Sequence, residues 1–373
     1  MAHAHTASLS SVIEETVAPN AAEIDKAGTF PRANVEALGK QGLLGLISAD
    51  EVGGRGADMA AAADVIERLS GVCGSTAMVT LMHYAATALI EAHGGDDIRR
   101  AIANDGHLTT LAFSEAGSRS HFWAPLSTAS ADNGQVVLEA SKSWVTSAGE
   151  ADSYVWSSRP LTVDGPMTLW LVPSTTAGLG VRGAFDGLGL RGNASSPVRA
   201  ENVRIPRTAM LGADGAGLDI ALQTALPFFL VLSAAFSLGL MEALVDRAAA
   251  HLTGTRLEHL GQSMAEQPDL RGRFAKLRIR TDEVRAFLSD TLTALGTGRE
   301  DATLRVLQVK AVAGEAASEV ADGVMRLCGG SAFRKEFGVE RLFRDALAAR
   351  VMAPTTEALQ EFVGRVSLGM PLM

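Results

Sequence analysis

The sequence predicts a multidomain α+β chain: a helical region first, a small β region in the middle and a helical bundle to the end. Three observations carry this. From about Ser8 to Ala103, apolar residues recur at helical spacing. Between Leu108 and about Pro206 the pattern changes to short β-type runs with turn signals between them. From about Gly217, helical periodicity returns in long pieces. The expected domains are residues 1–106, 107–212 and 213–373. A chain of 373 residues is too long for one compact core and has room for two or three.

In the first region, Val12, Ile13 and Val17, then Ala21, Ala22 and Ile24, mark one helical face, and Pro31 lies near the start of the next helix. The run Gln41-Gly-Leu-Leu-Gly-Leu ends that helix in glycine, and the loop Glu51-Val-Gly-Gly-Arg-Gly follows. Two more helices are expected over Asp58–Leu69 and Ser75–Ala92, the second carrying His83. Strands are expected over Leu108–Phe113, Gln135–Ala140, Ser153–Ser157 and Met167–Val172. Asp132-Asn133-Gly134 signals a type I′ hairpin, because Asn and Gly tolerate positive φ. In the last region, Pro227 suits the first turn of a helix running to His251, and Leu270–Leu295, Thr303–Leu327 and Thr356–Val366 are the other helical segments.

A net charge of −9 without a polybasic block argues against nucleic acid as a partner, since phosphate binding needs a basic surface. Cys73 and Cys328 sit in apolar helical contexts and read as reduced, buried thiols, with no His cluster that would make a zinc site. The opening MAHAHTASLS has neither the Arg nor the apolar core of a targeting segment, and His3 and His5 belong to a tail. Leu218–Leu240 is apolar but interrupted by Asp219, Gln223, Pro227, Ser233 and Ser237, which favours a buried helix over a membrane span. The expectation is a cytoplasmic protein with no membrane partner.

The stretch from Arg326 to Gln360 organises the rest. It holds Gly329-Gly330 after a helix, where either glycine can take positive φ and admit a ligand close to the backbone. The run Glu340-Arg341-Leu-Phe-Arg344-Asp345 follows, then a helix of small residues ending at Pro354, then a new helix opening at Thr355 or Thr356. The amides of that opening offer a positive dipole end to an anion or a flavin carbonyl.

Taken with Phe30-Pro31, Gly42-Leu-Leu-Gly, Trp144-Val-Thr146-Ser, Leu190-Arg-Gly-Asn-Ala-Ser and Val203-Arg-Ile-Pro206, in this order and spacing, the chain resembles the acyl-CoA dehydrogenase family over nearly its whole length. The resemblance implies a helical N-terminal domain, a β-barrel-like middle domain, a C-terminal four-helix bundle, and FAD as cofactor. Leu111-Ala-Phe113-Ser114-Glu115-Ala-Gly117-Ser-Arg-Ser120-His121 resembles the family loop T-E-P-G-A-G-S-D. Phe113 and Ser114 would then meet the flavin pyrimidine ring and Ser120 the thioester path, with Ala116 in place of Pro and His121 in place of Asp. Lys142-Ser-Trp144-Val-Thr146-Ser resembles K-x-W-I-T-N. Strand alternation puts Trp144 and Thr146 on one face, and the resemblance implies that they pack on and hydrogen-bond to the flavin.

Gly329, Gly330 and Arg326, which stands where the family has Gln, would hold the FAD diphosphate partly across a subunit interface. Thr355 and Glu357 at the opening of the last helix belong to the same expected cofactor set, and of the family's Arg-Thr-Phe-Gly element only Gly261 clearly matches. The family's base is a glutamate immediately before the last helix; aligned on Arg344-Asp345 and Thr355, that position is Ala353, and the alternative location, Pro227-Phe-Phe-Leu-Val, holds no carboxylate either. His83 is the substitute to weigh, against the plain reading of a packed helical His; Glu115 and Glu357 match positions that are structural or near the cofactor. The leading expectation is an oxidoreductase acting on an acyl thioester, of CoA or a carrier protein, with an unconventional base, working with an electron acceptor or flavin reductase as a homodimer or homotetramer. A flavin-dependent monooxygenase of the same fold and a non-catalytic partner subunit of a mixed oligomer are the rivals.

Overall fold

The structure is a computed structural model that describes residues 5–118 and 121–372. In chain order, α1 (Thr6–Val12) passes through a π-helical turn (Ile13–Val17) into α2 (Ala18–Ala27), followed by α3 (Arg32–Lys40), α4 (Met59–Ser70), α5 (Gly74–His93) and α6 (Asp96–Asn104). Eight strands come next: β1 (Thr109–Ala112), β2 (Thr128–Asp132), β3 (Gln135–Val145), β4 (Ser153–Ser158), β5 (Thr168–Pro173), β6 (Leu179–Val181), β7 (Ser196–Pro206) and β8 (Met210–Leu211). Then α7 (Gly217–Gln223), α8 (Ala225–Gly254), the small hairpin β9 (Arg256–Leu257) and β10 (Gln262–Ser263), α9 (Pro268–Thr297), α10 (Ala302–Cys328), α11 (Val339–Ala346), α12 (Ala348–Val351) and α13 (Thr356–Ser367) complete the chain. Cys73 and Cys328 are free, buried thiols.

The chain groups into two compact units. One comprises Met1–Ala62, Met78–Gly187 and Arg191–Phe229, the other Ala63–Ala77, Leu188–Leu190 and Leu230–Met373. The first holds two four-stranded sheets, ordered β1-β4-β5-β8 and β2-β3-β7-β6. Every residue of β1 and β4 is buried, which is why both appear in the sequence as continuous apolar or small-residue runs. β1 pairs with β4 in parallel, whereas the other ladders are antiparallel. The hairpin between β2 and β3 turns on Asn133 (φ 48°) and Gly134 (φ 83°), the type I′ geometry that the residue pair favours. β7 escaped the sequence reading although it is as long as β3. Its alternation stops at Glu201 and Asn202, both exposed, with Asn202 at φ 53° where the ladder to β3 shifts register.

In the second unit, α9 buries Thr281, Val284, Leu288, Thr291 and Ala294 at helical spacing and packs on α10. α9 starts with Pro268 and stops at Gly298 (φ 63°), the expected asymmetry of helix ends. Glu242 of α8 accepts both arms of Arg278 at 2.6 and 2.7 Å, and Arg285 bridges Glu242 at 2.9 Å to Glu67 at 2.6 Å. The apolar stretch Gly217–Gly254 is long enough to cross a membrane, but 83% of its most hydrophobic window is buried in the protein, as a core helix requires.

The tightest helix crossing in this unit is at Gly239. A Cβ there would stand 2.0 Å from the Glu67 carbonyl and 2.2 Å from Ser70 Oγ, so α8 meets α4 backbone to backbone. Gly239→Ala is therefore expected to lower the urea midpoint by an overpacking cost of ~1–3 kcal/mol. An unchanged midpoint would show that the crossing is looser than described.

Candidate functional site

The first cluster is built around a buried ion pair. Lys142, at 0% exposure on β3, donates from Nζ to Glu115 Oε1 at 2.5 Å, to the Ser157 carbonyl at 2.7 Å and to Ser157 Oγ at 2.9 Å. Glu115 Oε2 accepts from the amides of Leu126 at 2.5 Å and Ser127 at 2.9 Å, and Oε1 from the Ser127 hydroxyl. All three ammonium protons thus have acceptors, and four donors converge on the carboxylate. Burial pushes the Lys142 ammonium down to about 8, against the pull of Glu115. Burial pushes Glu115 up, but Lys142 and the surrounding donors more than reverse this and leave its carboxyl below the usual range, so the pair is charged at neutral pH.

That pair fastens the loop after β1 to the middle of β3. The Ser143 amide donates to the Ser114 carbonyl at 2.9 Å and the Ala116 amide to the Ser141 carbonyl at 3.1 Å. Ser114 is thereby placed beside the strand segment leading to Trp144. Phe113, half-buried, stacks on Phe122 with ring centroids 6.5 Å apart. Ser120 lies outside the described residues.

Trp144 corrects the sequence reading. Simple alternation would put it on the face of Lys142 and Thr146, yet Lys142 is fully buried while Trp144 is 72% exposed. The cause is a register shift between Lys142 and Val145, with Trp144 at φ 54°. A bulky residue in the left-handed region is uncommon and marks a local constraint. It turns the indole out to solvent while Thr146, 4% exposed, keeps its hydroxyl 3.2 Å from that of Ser195. Ser147 (φ 59°) and Ala148 continue the turn by donating to the carbonyls of Asn193 and Ala194 at 2.9 and 3.1 Å.

His83 is corrected as well. Fully buried on α5, it places Nε2 3.0 Å from the Leu44 carbonyl, and Nδ1 accepts from the Thr109 amide at 3.2 Å. A carbonyl only accepts and an amide only donates, so the proton sits on Nε2 and the Nδ1 lone pair is used. Burial drops its proton affinity to about 4. With no exposed face and both nitrogens occupied, His83 ties α5 to β1 and is not a proton acceptor for a ligand. His121 is exposed, its Nδ1 3.0 Å from the Ser118 carbonyl. Glu115, locked in the ion pair, is structural.

The second cluster lies at the end of α10 and the start of α13, within the other unit. Only Gly329 of the glycine pair takes positive φ (56°), while a Cβ on either would meet nothing within 4 Å. Arg326, one turn earlier, is exposed, 3.9 Å from Asp322, and Phe333 beyond is 79% exposed. Arg256 donates to the Gly261 carbonyl across the β9–β10 turn at 2.7 Å. Thr355 caps α13, its Oγ1 accepting from the Ala358 amide at 3.4 Å. Glu357, exposed in the first turn of α13, is held below the usual carboxylate range by its own backbone amide and the Thr355 hydroxyl. The small-residue helix ends at Val351, three residues before the expected Pro354. Lys310 of α10 takes the carbonyls of Ala349, Met352 and Pro354 at 3.0, 3.0 and 2.9 Å, which diverts them from helical pairing. Nearby, Asp345 accepts from the Leu190 amide at 2.6 Å and Arg344 donates to the Leu188 carbonyl at 3.0 Å.

Three family models match consecutive parts of the chain: the acyl-CoA dehydrogenase N-terminal domain over residues 3–104, the middle domain over 110–203 and the C-terminal domain over 215–368. The mitochondrial short-chain specific acyl-CoA dehydrogenase of Bos taurus is 28% identical over 352 residues, covering 92% of this chain and 84% of that protein. Among solved structures, butyryl-CoA dehydrogenase from Megasphaera elsdenii superposes with a TM-score of 0.91 at 20% identity, covering 99% of each chain. A glutaryl-coenzyme A dehydrogenase in complex with glutaryl-CoA superposes with a TM-score of 0.91 at 21% identity, covering 100% of this chain and 97% of the other. The two superposed structures share the fold of this chain.

The ion pair generates a stability test. Lys142→Met strands a buried carboxylate and is expected to cost ~3–5 kcal/mol, whereas adding Glu115→Gln recovers much of that loss. Since the folded value of Glu115 is lowered, the stability it contributes is complete above its ordinary 4.5 and is lost as pH falls through the folded value. Urea titrations of parent, single and double variants over acidic pH check both points. A single variant as stable as the parent would contradict them.

Proposed function

The chain belongs to the acyl-CoA dehydrogenase family, and we propose that it is an FAD-dependent oxidoreductase acting on an acyl thioester of CoA or a carrier protein. The observation that carries the cofactor assignment into this chain's own residues is Trp144: an exposed indole, 72% accessible, held out by a left-handed backbone next to the hydroxyl of Thr146. A large flat apolar side chain in solvent beside a fixed hydroxyl is a suitable wall for a flavin ring. The residues around Gly329 also fit, because the backbone is bare of neighbours and Arg326 offers a guanidinium suited to a diphosphate. In the first unit, Trp144, Thr146, Phe113 and Ser114 would meet a flavin ring; in the second, Arg326, Gly329, Gly330 and the capped end of α13 at Thr355 and Glu357 would meet FAD held by this or a second copy.

Bound FAD supplies an acceptor for hydride from the acyl chain. The protein's own part is to orient the thioester, keep water out and take the α-proton. Ala353 cannot take it, and neither can His83, whose lone pair is engaged with the Thr109 amide. The reading therefore includes an unconventional base, an electron acceptor or flavin reductase as partner, and a homo-oligomer in which a second copy covers surface such as Phe333.

Two experiments test this. In sedimentation velocity followed at a flavin wavelength, the protein is expected to carry FAD in a species of at least two chains. Colourless protein, or an FAD-bearing monomer, would overturn the corresponding half of the reading. Anaerobically, an acyl-CoA panel tests substrate class, and the variant Ala353→Glu with Pro354→Gly tests the base. A well-placed general base contributes ~10²–10⁴ in rate, so flavin bleaching should be faster by that order. If the variant binds FAD and acyl-CoA yet bleaches no faster than the parent, the protein serves another reaction, and oxygen insertion by reduced flavin becomes the better account.

A further inference from the structure

Lys310 stands where an apolar residue would be expected. Its neighbours along the core face of α10, Val306, Leu307, Ala313 and Gly314, are all buried, and it is itself 2% exposed. A buried ammonium is costly unless its donors are met, and here three N–H groups face three carbonyls of one short segment, those of Ala349, Met352 and Pro354. Two of these carbonyls flank residue 353, and the third belongs to the last turn before it. The next residue, Thr355, is the cap of α13. The clamp thus fixes the backbone on both sides of residue 353 and the place where α13 begins.

We propose that Lys310 is a positioning residue of the ligand site. Through these three carbonyls it holds residue 353 and the amide end of α13 in the conformation that receives cofactor and substrate. That this segment serves such ligands rests on the family reading; the clamp itself rests on the geometry. Of the charged groups on elements packed against α10, Glu357 of α13 acts on Lys310 and raises its proton affinity. Arg350 of α12 is paired with Glu315, Arg280 of α9 with Glu319, Arg365 of α13 with Glu361, and Asp345 of α11 accepts from Leu190. Burial dominates and pushes the ammonium down to about 7.

Deprotonation leaves two N–H groups for three carbonyls and loosens the segment. The sign of the global effect is opposite. The unfolded chain keeps this proton up to 10.5, so the stability linked to Lys310 rises with pH between about 7 and 10.5. Local loosening is therefore separable from global unfolding.

The test is hydrogen exchange on the full-length, FAD-free protein on either side of pH 7, corrected for intrinsic rates. Parent amides of Ala358 and Leu359, both bonded to Thr355, are expected to lose protection by about tenfold as pH rises, with no fall in urea midpoint. Lys310→Met should be unprotected there on both sides, with α9 and the rest of α10 still slow. A flat parent profile overturns the proposal, as does a Lys310→Met variant that stays protected or one that loosens α9 and α10 alike. If the variant does not fold, the parent profile alone decides. FAD uptake is scored separately, so its failure removes the family reading of the site and leaves the exchange result to judge the clamp.

Discussion

A single desolvated ion pair fixes the first cluster. Glu115 and Lys142 are 27 residues apart, and neither can be buried alone. Once they meet, the loop after β1 must run alongside β3, and the amides of Leu126 and Ser127 must fold back to complete the carboxylate. Two residues beyond Lys142 the strand leaves its ladder, and Trp144 turns outward. The pairing attracts strongly at low dielectric but repays desolvation only when every lone pair and proton is matched. That is the condition met here, and it explains why the loop has no freedom to place Ser114 elsewhere.

The second unit follows the same rule with a different acceptor set. Lys310 meets carbonyls instead of a carboxylate, so it organises backbone rather than joining two side chains. Both lysines are poor choices for stability alone, since a hydrophobic residue of similar volume often does as well. Each is tied to backbone that leaves regular pairing, Lys142 two residues before Trp144 and Lys310 through the carbonyls of Met352 and Pro354.

Much of the fold was legible in the sequence. Helix periodicity located α4 and α5 to within one residue at each end, and Asn133-Gly134 fixed the hairpin. Strands with broken alternation were harder to see, because a bulge moves following side chains to the other face, and β7 carries one at Asn202. The same effect spoiled the expectation for Trp144 and Thr146. The two lysines did leave a signal: Lys310 interrupts the row Val306, Leu307, Ala313, Gly314 at a core position, and Lys142 lies on the buried face of its strand. A charge inside an apolar period announces a buried partner, but does not say which. His83 shows the converse, since a histidine's role depends on what its two nitrogens touch, and both contacts come from residues at least 26 positions away.

Residue 353 brings these points together. The carbonyls on either side of it turn to the same ammonium, so its backbone is set by Lys310 and not by its own side chain. Ala353 carries no titratable group, and none of the three contacts of Lys310 involves the side chain of Ala353. Whatever side chain stands at 353, the course of this segment is a property of α10.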